Sequence, residues 1–167
     1  LPAGGPVIVA IDEPSMAEIG LQWPWPRDLH ARLVEALRKA GASAIGLDII
    51  FAEPSTPRAD GALAAAMAPD VVLAGDETVI ETAQAAQRVR AEPLPQFTAA
   101  GALTGIASVA LDRDGVFRRL PAYPDGFAAA LIAAAGGPDQ GADSQRLVQS
   151  FGPARSYPTV SYYQALD

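Results

Sequence analysis

The sequence between residues 7 and 51 constrains the fold most, because two short apolar runs flank an amphipathic helical pattern. The first run is VIVAI, from Val7 to Ile11, and the second extends from Ala44 to Phe51. Continuous apolar runs of this length, rich in β-branched side chains, are typical of strands buried on both faces. A strand, a helix and a strand joined by short links form a βαβ unit, which predicts that these two strands are parallel neighbours.

The helix between the two runs has clear start and stop signals. Pro26, Arg27 and Asp28 open it, and Gly41 ends it. Its apolar stripe repeats at helical spacing and predicts one buried face. The stripe comprises Leu29, Leu33, Val34, Leu37 and Ala40. The preceding residues 13–26 are rich in proline and predict a loop with a short helical turn at 15–19.

The following residues predict a second helix and a third strand. Asp60 is placed to cap a helix that runs to Met67, and the apolar residues 71–74 are typical of a buried strand. Residues 83–101 show no clear period and predict a loop. The resulting β-α-β-α-β order predicts an α/β fold with a mainly parallel sheet, built from βαβ units with flanking helices.

The second half predicts a β-hairpin and further short elements. The turn Asp112-Arg113-Asp114-Gly115 separates two candidate strands, because glycine tolerates the positive φ of such a turn. The remaining predicted elements follow the hairpin. The candidate strands of the hairpin are Thr104–Leu111 and Val116–Leu120, and the later elements are a helix over 126–135, a strand over Arg146–Phe151 and a short helix over Tyr162–Leu166 capped by Ser161.

Composition excludes several functional classes. A net charge of −7 argues against a nucleic-acid partner, because phosphate contacts need clustered Lys and Arg. The absence of cysteine excludes disulfides, thiol nucleophiles and thiolate metal sites. The most apolar run, Phe127 to Ala135, is shorter than the roughly 18 to 20 residues that span a bilayer. With half of its residues hydrophobic, the chain is long enough for one globular domain.

Acidic side chains at the predicted strand ends are the first candidate site residues. Asp12 follows the first strand, Asp48 interrupts the second apolar run, and Glu53 lies just beyond it. Ligands of open parallel sheets bind at the carboxyl ends of the strands. Parallel neighbours would bring Asp12 and Asp48 together, for acid/base chemistry or for a hard cation. We favour a structural role, in which Asp48 hydrogen-bonds the backbone of the adjacent Trp-Pro loop.

Two tryptophans in a stiff loop are the second candidate feature. Trp23 and Trp25 are each followed by proline, and rigid aromatic side chains above a cleft suit stacking on a sugar ring or a cation. Equally, such residues cover the edge of a core or form a protein interface. Arg27, at a helix N-terminus, suits an anion site. We favour an ion pair of Arg27 with Asp12 or Asp48.

Other chemistry lacks a motif. His30, the only histidine, has no partner histidine one turn away, and we expect a structural side chain. No G-x-S-x-G, G-x-G-x-x-G or P-loop is present, so no catalytic residue, metal ligand or cofactor is predicted. The candidate ligand site lies beyond the strand ends. Its residues are Asp12, Trp23, Trp25, Arg27, Asp48 and Glu53.

Taken in order, five sequence blocks resemble the type-two CHASE domain, the cyclase/histidine-kinase-associated sensory extracellular family. The resemblance covers nearly the whole chain, with residues 76–101 the least distinctive. The blocks are VIVAIDEPSMAEIG from Val7, WPWPR from Trp23, HARLVEALRKAGASAIGLDIIFAEP from His30, DRDGVFRRLP from Asp112, and FGP from Phe151 leading to YPTVSY from Tyr157.

The resemblance implies a single extracytoplasmic sensor domain over residues 1–167, on the outer, periplasmic face of a bacterial inner membrane. It implies a fragment of a longer receptor, tethered by flanking transmembrane helices and followed by a cyclase or kinase output. The family has no established catalytic residues, and its ligands, small molecules or proteins, are largely undefined. Family members commonly continue into another strand after Ser-Tyr, whereas this chain ends at Asp167. If that strand belongs to the sheet, the fragment lacks part of the domain.

Two other functional classes stay open from the residues. A carboxylate-dependent periplasmic hydrolase would use Asp12 and Asp48. A purely structural dimerisation module would need no small ligand, although a homodimer is also compatible with a sensor.

Overall fold

A computed structural model describes residues 5–82, 84–120, 123–138, 147–148, 152–153 and 156–167. Strands and helices alternate along the first half of the chain. In order, the elements are β1 (Ile8–Ala10), α1 (Glu13–Ile19), α2 (Arg27–Lys39), β2 (Ile45–Leu47), α3 (Pro57–Ala66), β3 (Val71–Glu81), β4 (Ala86–Ala91), α4 (Pro95–Ala99), β5 (Leu103–Ile106), α5 (Phe127–Ala134) and β6 (Thr159–Ser161), followed by a 3₁₀ turn over Gln164–Leu166.

The central sheet is mainly parallel, as the sequence predicts. The first half of β3 lies between β2 and β5 and is parallel to both. Its residues Val71 to Ala74 are fully buried. Ile45, Leu47, Val71 and Leu73 point into the core that is shared with α2 and α3. Helix α5 covers the opposite face, where Gly46 and Gly105 face it. The α/β fold class with helices on both faces is therefore confirmed.

The predicted pairing of the first two strands is wrong. β1 is parallel to β6, from the far end of the chain, and these two strands form a separate two-stranded sheet. Ile8, Val9 and Ala10 align with Thr159, Val160 and Ser161. The partner strand β6 has only three residues and ends in a serine, so the sequence gives little indication of it. The βαβ pattern of residues 7–51 is much stronger. The chain follows that pattern locally without forming the expected pair.

The β-hairpin lies elsewhere than predicted. β3 continues past the sheet and pairs antiparallel with β4 from Asp76–Ala91 to Glu81–Ala86. Residues 83–101, predicted as a loop, therefore contain β4 and α4. At the predicted position, the 112–115 turn does form, with the Gly115 N–H donating to the Asp112 carbonyl at 2.8 Å. Its flanks form no ladder with each other in the described residues, and Arg119 bridges Leu147 instead.

Helix α2 lies between two apolar clusters. One cluster joins α2, α3, α4 and the central sheet around Val34, Leu63 and Phe97. The other joins α2 to the chain ends around Trp25, Leu33 and Tyr162. Within the described part of the chain, no helix combines the length and apolarity needed to cross a bilayer.

Several predicted details differ in the structure. Thr56, rather than Asp60, caps α3, because its hydroxyl oxygen accepts the Ala59 N–H at 3.2 Å. Ser161 ends β6, and the predicted helix after it is only the 3₁₀ turn. Most of the predicted strand Arg146–Phe151 lies outside the described residues. The predicted turn over residues 15–19 is longer, and forms helix α1.

Candidate functional site

An aromatic-walled cleft lies between the Trp-Pro loop and the loop that follows β2. It has a volume of ≈ 570 Å³, which is within the range of roughly 300–1,000 Å³ that is usual for small-molecule sites. Apolar side chains form most of its walls. The lining residues are Trp23, Pro24, Trp25, Pro26, Arg27, His30, Ile49, Ile50, Phe51, Ala52, Glu53, Pro54, Ser55, Thr56 and Ala59.

The two tryptophans play different parts in the Trp-Pro loop. Trp25 is buried, and its indole N–H donates to the Leu21 carbonyl at 3.2 Å. Trp23 remains 39% exposed and meets Trp25 edge to face at 5.3 Å between ring centroids. The Trp23–Pro24 peptide bond is cis. Trp25 therefore belongs to the core, which is one of the alternatives that the sequence left open, while Trp23 presents an aromatic surface to the cleft.

Arg27 fixes the opposite wall through a buried ion pair. Its guanidinium donates to Asp60 of α3 at 2.6 Å and to the Glu53 carbonyl. It also lies over the rings of Phe51 and Phe97, at 5.3 and 5.5 Å from their centroids. The expected pairing of Arg27 with Asp12 or Asp48 is wrong. Its partner is Asp60, one helical turn inside α3. Asp60 also accepts the Ser55 N–H at 3.0 Å, so the pair holds the whole loop in place.

His30 is a buried, hydrogen-bonded side chain at the base of the cleft. Its Nδ1 lies 2.8 Å from the Tyr162 hydroxyl, and its ring lies beside Trp23, Trp25 and Phe51. Burial lowers the pKa of His30 to about 4, with the Arg27 charge adding to the effect. Burial likewise raises the pKa of Tyr162. Both groups are therefore neutral near pH 7, and the cleft gains no charge from them.

Asp12 lies outside the aromatic cleft, in a second cleft at the ends of β1 and β6. One carboxylate oxygen accepts the Ser15 hydroxyl at 2.6 Å and the Ser15 N–H at 3.0 Å. The other oxygen accepts the Ser161 hydroxyl at 2.7 Å. The Ser15 hydroxyl, followed by that of Ser161, lowers the pKa of Asp12. Asp12 therefore caps α1 and ties it to β6.

The remaining two acids are both exposed, but only one lines the aromatic cleft. Glu53 is among the lining residues and Asp48 is not. The expected hydrogen bonds from Asp48 to the Trp-Pro loop are absent among the described residues. The structure thus brings Trp23, Trp25, Arg27 and Glu53 together, and leaves out Asp12 and Asp48.

Sequence reasoning misses two residues that shape the site, Asp60 and Tyr162. The sequence pattern assigns Asp60 to a helix cap. The signal that could have identified it is that a buried arginine needs an acidic partner, and α3, which contains Asp60, follows directly after the cleft loop. Tyr162 reaches the cleft base from the far end of the chain, at 4.8 Å between ring centroids from Trp25. No local pattern predicts so distant a contact.

Two of the three ionisable side chains that line the cleft are already partnered. Its one arginine is neutralised by Asp60, and its histidine is neutral and hydrogen-bonded to tyrosine. Among the described residues, no group of three or more His, Asp or Glu side chains is placed to hold a metal ion. The fold and the cleft define an α/β domain with an aromatic-walled cleft.

Comparison with known families identifies the class further. The family model of the CHASE2 domain matches residues 2–167, and the chain belongs to the CHASE2 family. This is a family of extracellular sensory domains, typically found in signalling receptors and not catalytic themselves. The resemblance noted in the sequence is thereby confirmed. The chain has no significant match among curated proteins or among solved structures.

Proposed function

We propose that this chain is the ligand-input domain of a bacterial transmembrane receptor, and that it lies on the periplasmic side of the inner membrane. A cyclase, a histidine kinase or a diguanylate cyclase on the cytoplasmic side would supply the output. The observation that carries this proposal is the family match across residues 2–167.

The aromatic cleft is the proposed input site. Its two walls come from separate loops, one before α2 and one after β2, and the Arg27 side chain joins them by donating to the Glu53 carbonyl. A ligand that contacts both walls would stabilise the arrangement of the two loops to which it binds more tightly. Sensing requires such a difference, because a ligand shifts an equilibrium only by its differential affinity for the two states. Trp23 and Glu53 are the proposed ligand-contacting side chains.

Membrane sidedness tests the location. These 167 residues contain no cysteine, and Ser43→Cys, at an exposed position between α2 and β2, adds one thiol to the domain in a full receptor from which any cysteine outside it has been replaced. A membrane-impermeant maleimide should label intact spheroplasts as fully as permeabilised ones. Labelling only after the inner membrane is permeabilised would place the domain in the cytoplasm and contradict the proposal.

Receptor output tests the input site. Trp23→Leu removes the exposed aromatic surface and should change basal output activity in membrane vesicles. Leu111→Ala, at another exposed apolar position away from the cleft, is the control and should leave output unchanged. Equal output from both variants and the parent receptor would argue against the cleft as the input site.

A second candidate function, dimerisation, is favoured by the shape of the β3–β4 hairpin. Beyond Gly75, β3 pairs only with β4 among the described strands, so the two strands project as a ribbon from the parallel part of the sheet formed by β2, β3 and β5. Val79, Ile80 and Val89 on this ribbon are 41–50% exposed. Exposed apolar side chains on an open ribbon are typical of association surfaces. Ile80→Lys should weaken chemical cross-linking of the full receptor if this ribbon joins two copies.

A further inference from the structure

The charge distribution in the aromatic cleft identifies a class of ligand. Three lining residues are ionisable: Arg27, His30 and Glu53. Arg27 is matched by Asp60 at 2.6 Å, and both side chains are about nine-tenths buried. His30 is held neutral in a hydrogen bond with Tyr162. Glu53 is exposed, and none of the described residues donates a hydrogen bond to its carboxylate. The cleft therefore has one net negative charge.

The walls restrict the ligand further. Trp23 offers a partly exposed indole, which attracts a cation over its face. The surrounding surface is apolar and includes Pro24, Ile50 and Pro54. The lining supplies one free carboxylate, and the described residues hold no cluster of three acids, which makes it a weak site for a hard inorganic cation with its six or more oxygen ligands.

We propose that the cleft binds a small organic cation, an alkyl-substituted ammonium ion, between the Trp23 ring and the Glu53 carboxylate. This inference rests on the proposed input site and adds its ligand class. The alkyl groups contact the proline and isoleucine side chains, and the charge faces the indole and the carboxylate. Since Arg27 is already paired, an anionic ligand finds no free positive charge among the lining residues.

The test compares choline with 3,3-dimethylbutan-1-ol, its neutral isostere, in which a carbon atom replaces the quaternary nitrogen. Saturation-transfer NMR on the full receptor in phosphatidylglycerol nanodiscs reports weak binding, with empty nanodiscs as the blank. Choline should bind, and the neutral isostere should bind at least about fivefold more weakly, as expected for loss of a cation–π contact. Equal binding of the two probes, or no binding of choline, would overturn the proposal.

Two charge-matched variants assign the binding to this cleft. Glu53→Gln should weaken choline binding by about fivefold, as for loss of one partly exposed charge pair. Glu18→Gln makes the same charge change at an exposed position on α1, outside the cleft, and should leave binding unchanged. Equal effects of the two variants would mean that choline responds to overall charge, and would overturn the site. Trp23→Leu should weaken choline and leave the neutral isostere unaffected.

The labelling of Ser43→Cys separates this inference from the proposed function. If choline fails to bind while residue 43 is labelled from outside, the ligand class is wrong and the sensor function stands. If choline binds while residue 43 is protected in spheroplasts, the location is wrong and the ligand class stands.

Discussion

Arg27 and Asp60 form the ion pair on which the shape of the cleft depends. Their side chains are about nine-tenths buried, and between them they hold the Glu53 carbonyl and the Ser55 N–H of the cleft loop. Removing one partner of a buried pair leaves an uncompensated charge. Arg27→Met should therefore lower the free energy of unfolding by about 3–5 kcal/mol, as measured by urea denaturation.

The double variant Arg27→Met, Asp60→Asn tests the cause of that loss. The asparagine side chain keeps an acceptor for the Ser55 N–H and removes the orphaned charge. We expect the double variant to recover about half of the lost stability or more, because a neutral replacement of a buried pair is often tolerated. A double variant no more stable than Arg27→Met would mean that apolar packing of Arg27 on Phe51 and Phe97 accounts for the loss.

His30 makes stability depend on pH. Its pKa is lowered to about 4 in the folded protein by burial and by the Arg27 charge, whereas an unfolded histidine titrates near 6.5. Between these values the unfolded chain binds more protons, so stability rises with pH and is lost as pH falls. Lowering the pH from about 7 to about 5 should cost about 2 kcal/mol of unfolding free energy through this residue.

The variant His30→Asn isolates the histidine contribution. Asparagine offers a polar atom near the Nδ1 position for the Tyr162 hydroxyl and does not titrate. Urea denaturation at both pH values should show the decrease in the parent protein and only a residual decrease in the variant. Equal decreases in the two proteins would contradict a role of His30 in this pH range. The carboxylates with lowered pKa, such as Asp12 and Asp70, lose their contribution only at lower pH, as it falls toward their ordinary value near 3.8.

The candidate site could be predicted only in part from the sequence. The Trp-Pro loop and the acids after β2 are local features, and four of the six chosen residues line one cleft. Either Asp12 or Asp60 could neutralise a buried Arg27 on chemical grounds alone. Which of them does so depends on how α3 packs against α2. The partner of His30 comes from residue 162. Distant partners of this kind are fixed by tertiary packing, and one sequence carries no sign of them.

At the scale of elements, the contact of β5 with α5 has the tightest clearance. A Cβ atom on Gly105 would lie 2.5 Å from the Phe127 Cα and 2.6 Å from its amide nitrogen. These are backbone atoms, so the helix would have to move away from the sheet. Gly105→Ala should lower the unfolding free energy by about 1–3 kcal/mol or more, in line with overpacked cores. Thermal denaturation measures this loss.

Gly61 is the matched control for that substitution. It lies inside α3, where a Cβ atom would have no neighbour within 4 Å, and alanine favours helix more than glycine does. Gly61→Ala should raise stability by about 0.5–1 kcal/mol. A destabilising Gly61→Ala together with a neutral Gly105→Ala would contradict the packing described for α5.

Elements with a one-sided or wholly buried apolar pattern were predicted well, except β1. The sequence predicts that strand to be buried on both faces, but Ile8 is 47% exposed because β1 pairs only with the short β6 in the described residues, outside the central sheet. Helix α2 and strands β2 and β3 carry that pattern, and each lies close to its expected position. The pattern fails for β4, since its side chains are almost all exposed on a ribbon that is open on both faces. Arg88 and Arg90 stabilise this ribbon through cross-strand contacts with Glu77. Because these charged side chains are 11 and 13 residues apart, their pairing produces no hydrophobic periodicity from which the strand could be predicted.

For the molecule as a whole, α2 connects two apolar clusters of unequal size. The larger apolar cluster includes the central sheet, and the smaller one joins the two chain ends through β1, β6 and Tyr162. The aromatic cleft lies where the two meet, since Trp25 belongs to one cluster and Phe51 to the other. The lining of the cleft therefore includes a side chain from each cluster, and a ligand there would signal only if it bound one relative arrangement of the two more tightly than another.

Amide hydrogen exchange should rank the parts of the molecule by stability. Val71 to Ala74 are fully buried between two parallel partners, so their amides should exchange only through global unfolding, at a cost of about 5–15 kcal/mol. The exposed ribbon strands, over residues 78–80 and 86–89, have one ladder and few apolar contacts, and should open at a small fraction of that cost. Mass spectrometry of the receptor at low concentration measures both segments. Ribbon protection equal to that of β3 would mean that the ribbon is covered. If protection rose with receptor concentration, the cover would be a second copy of the chain.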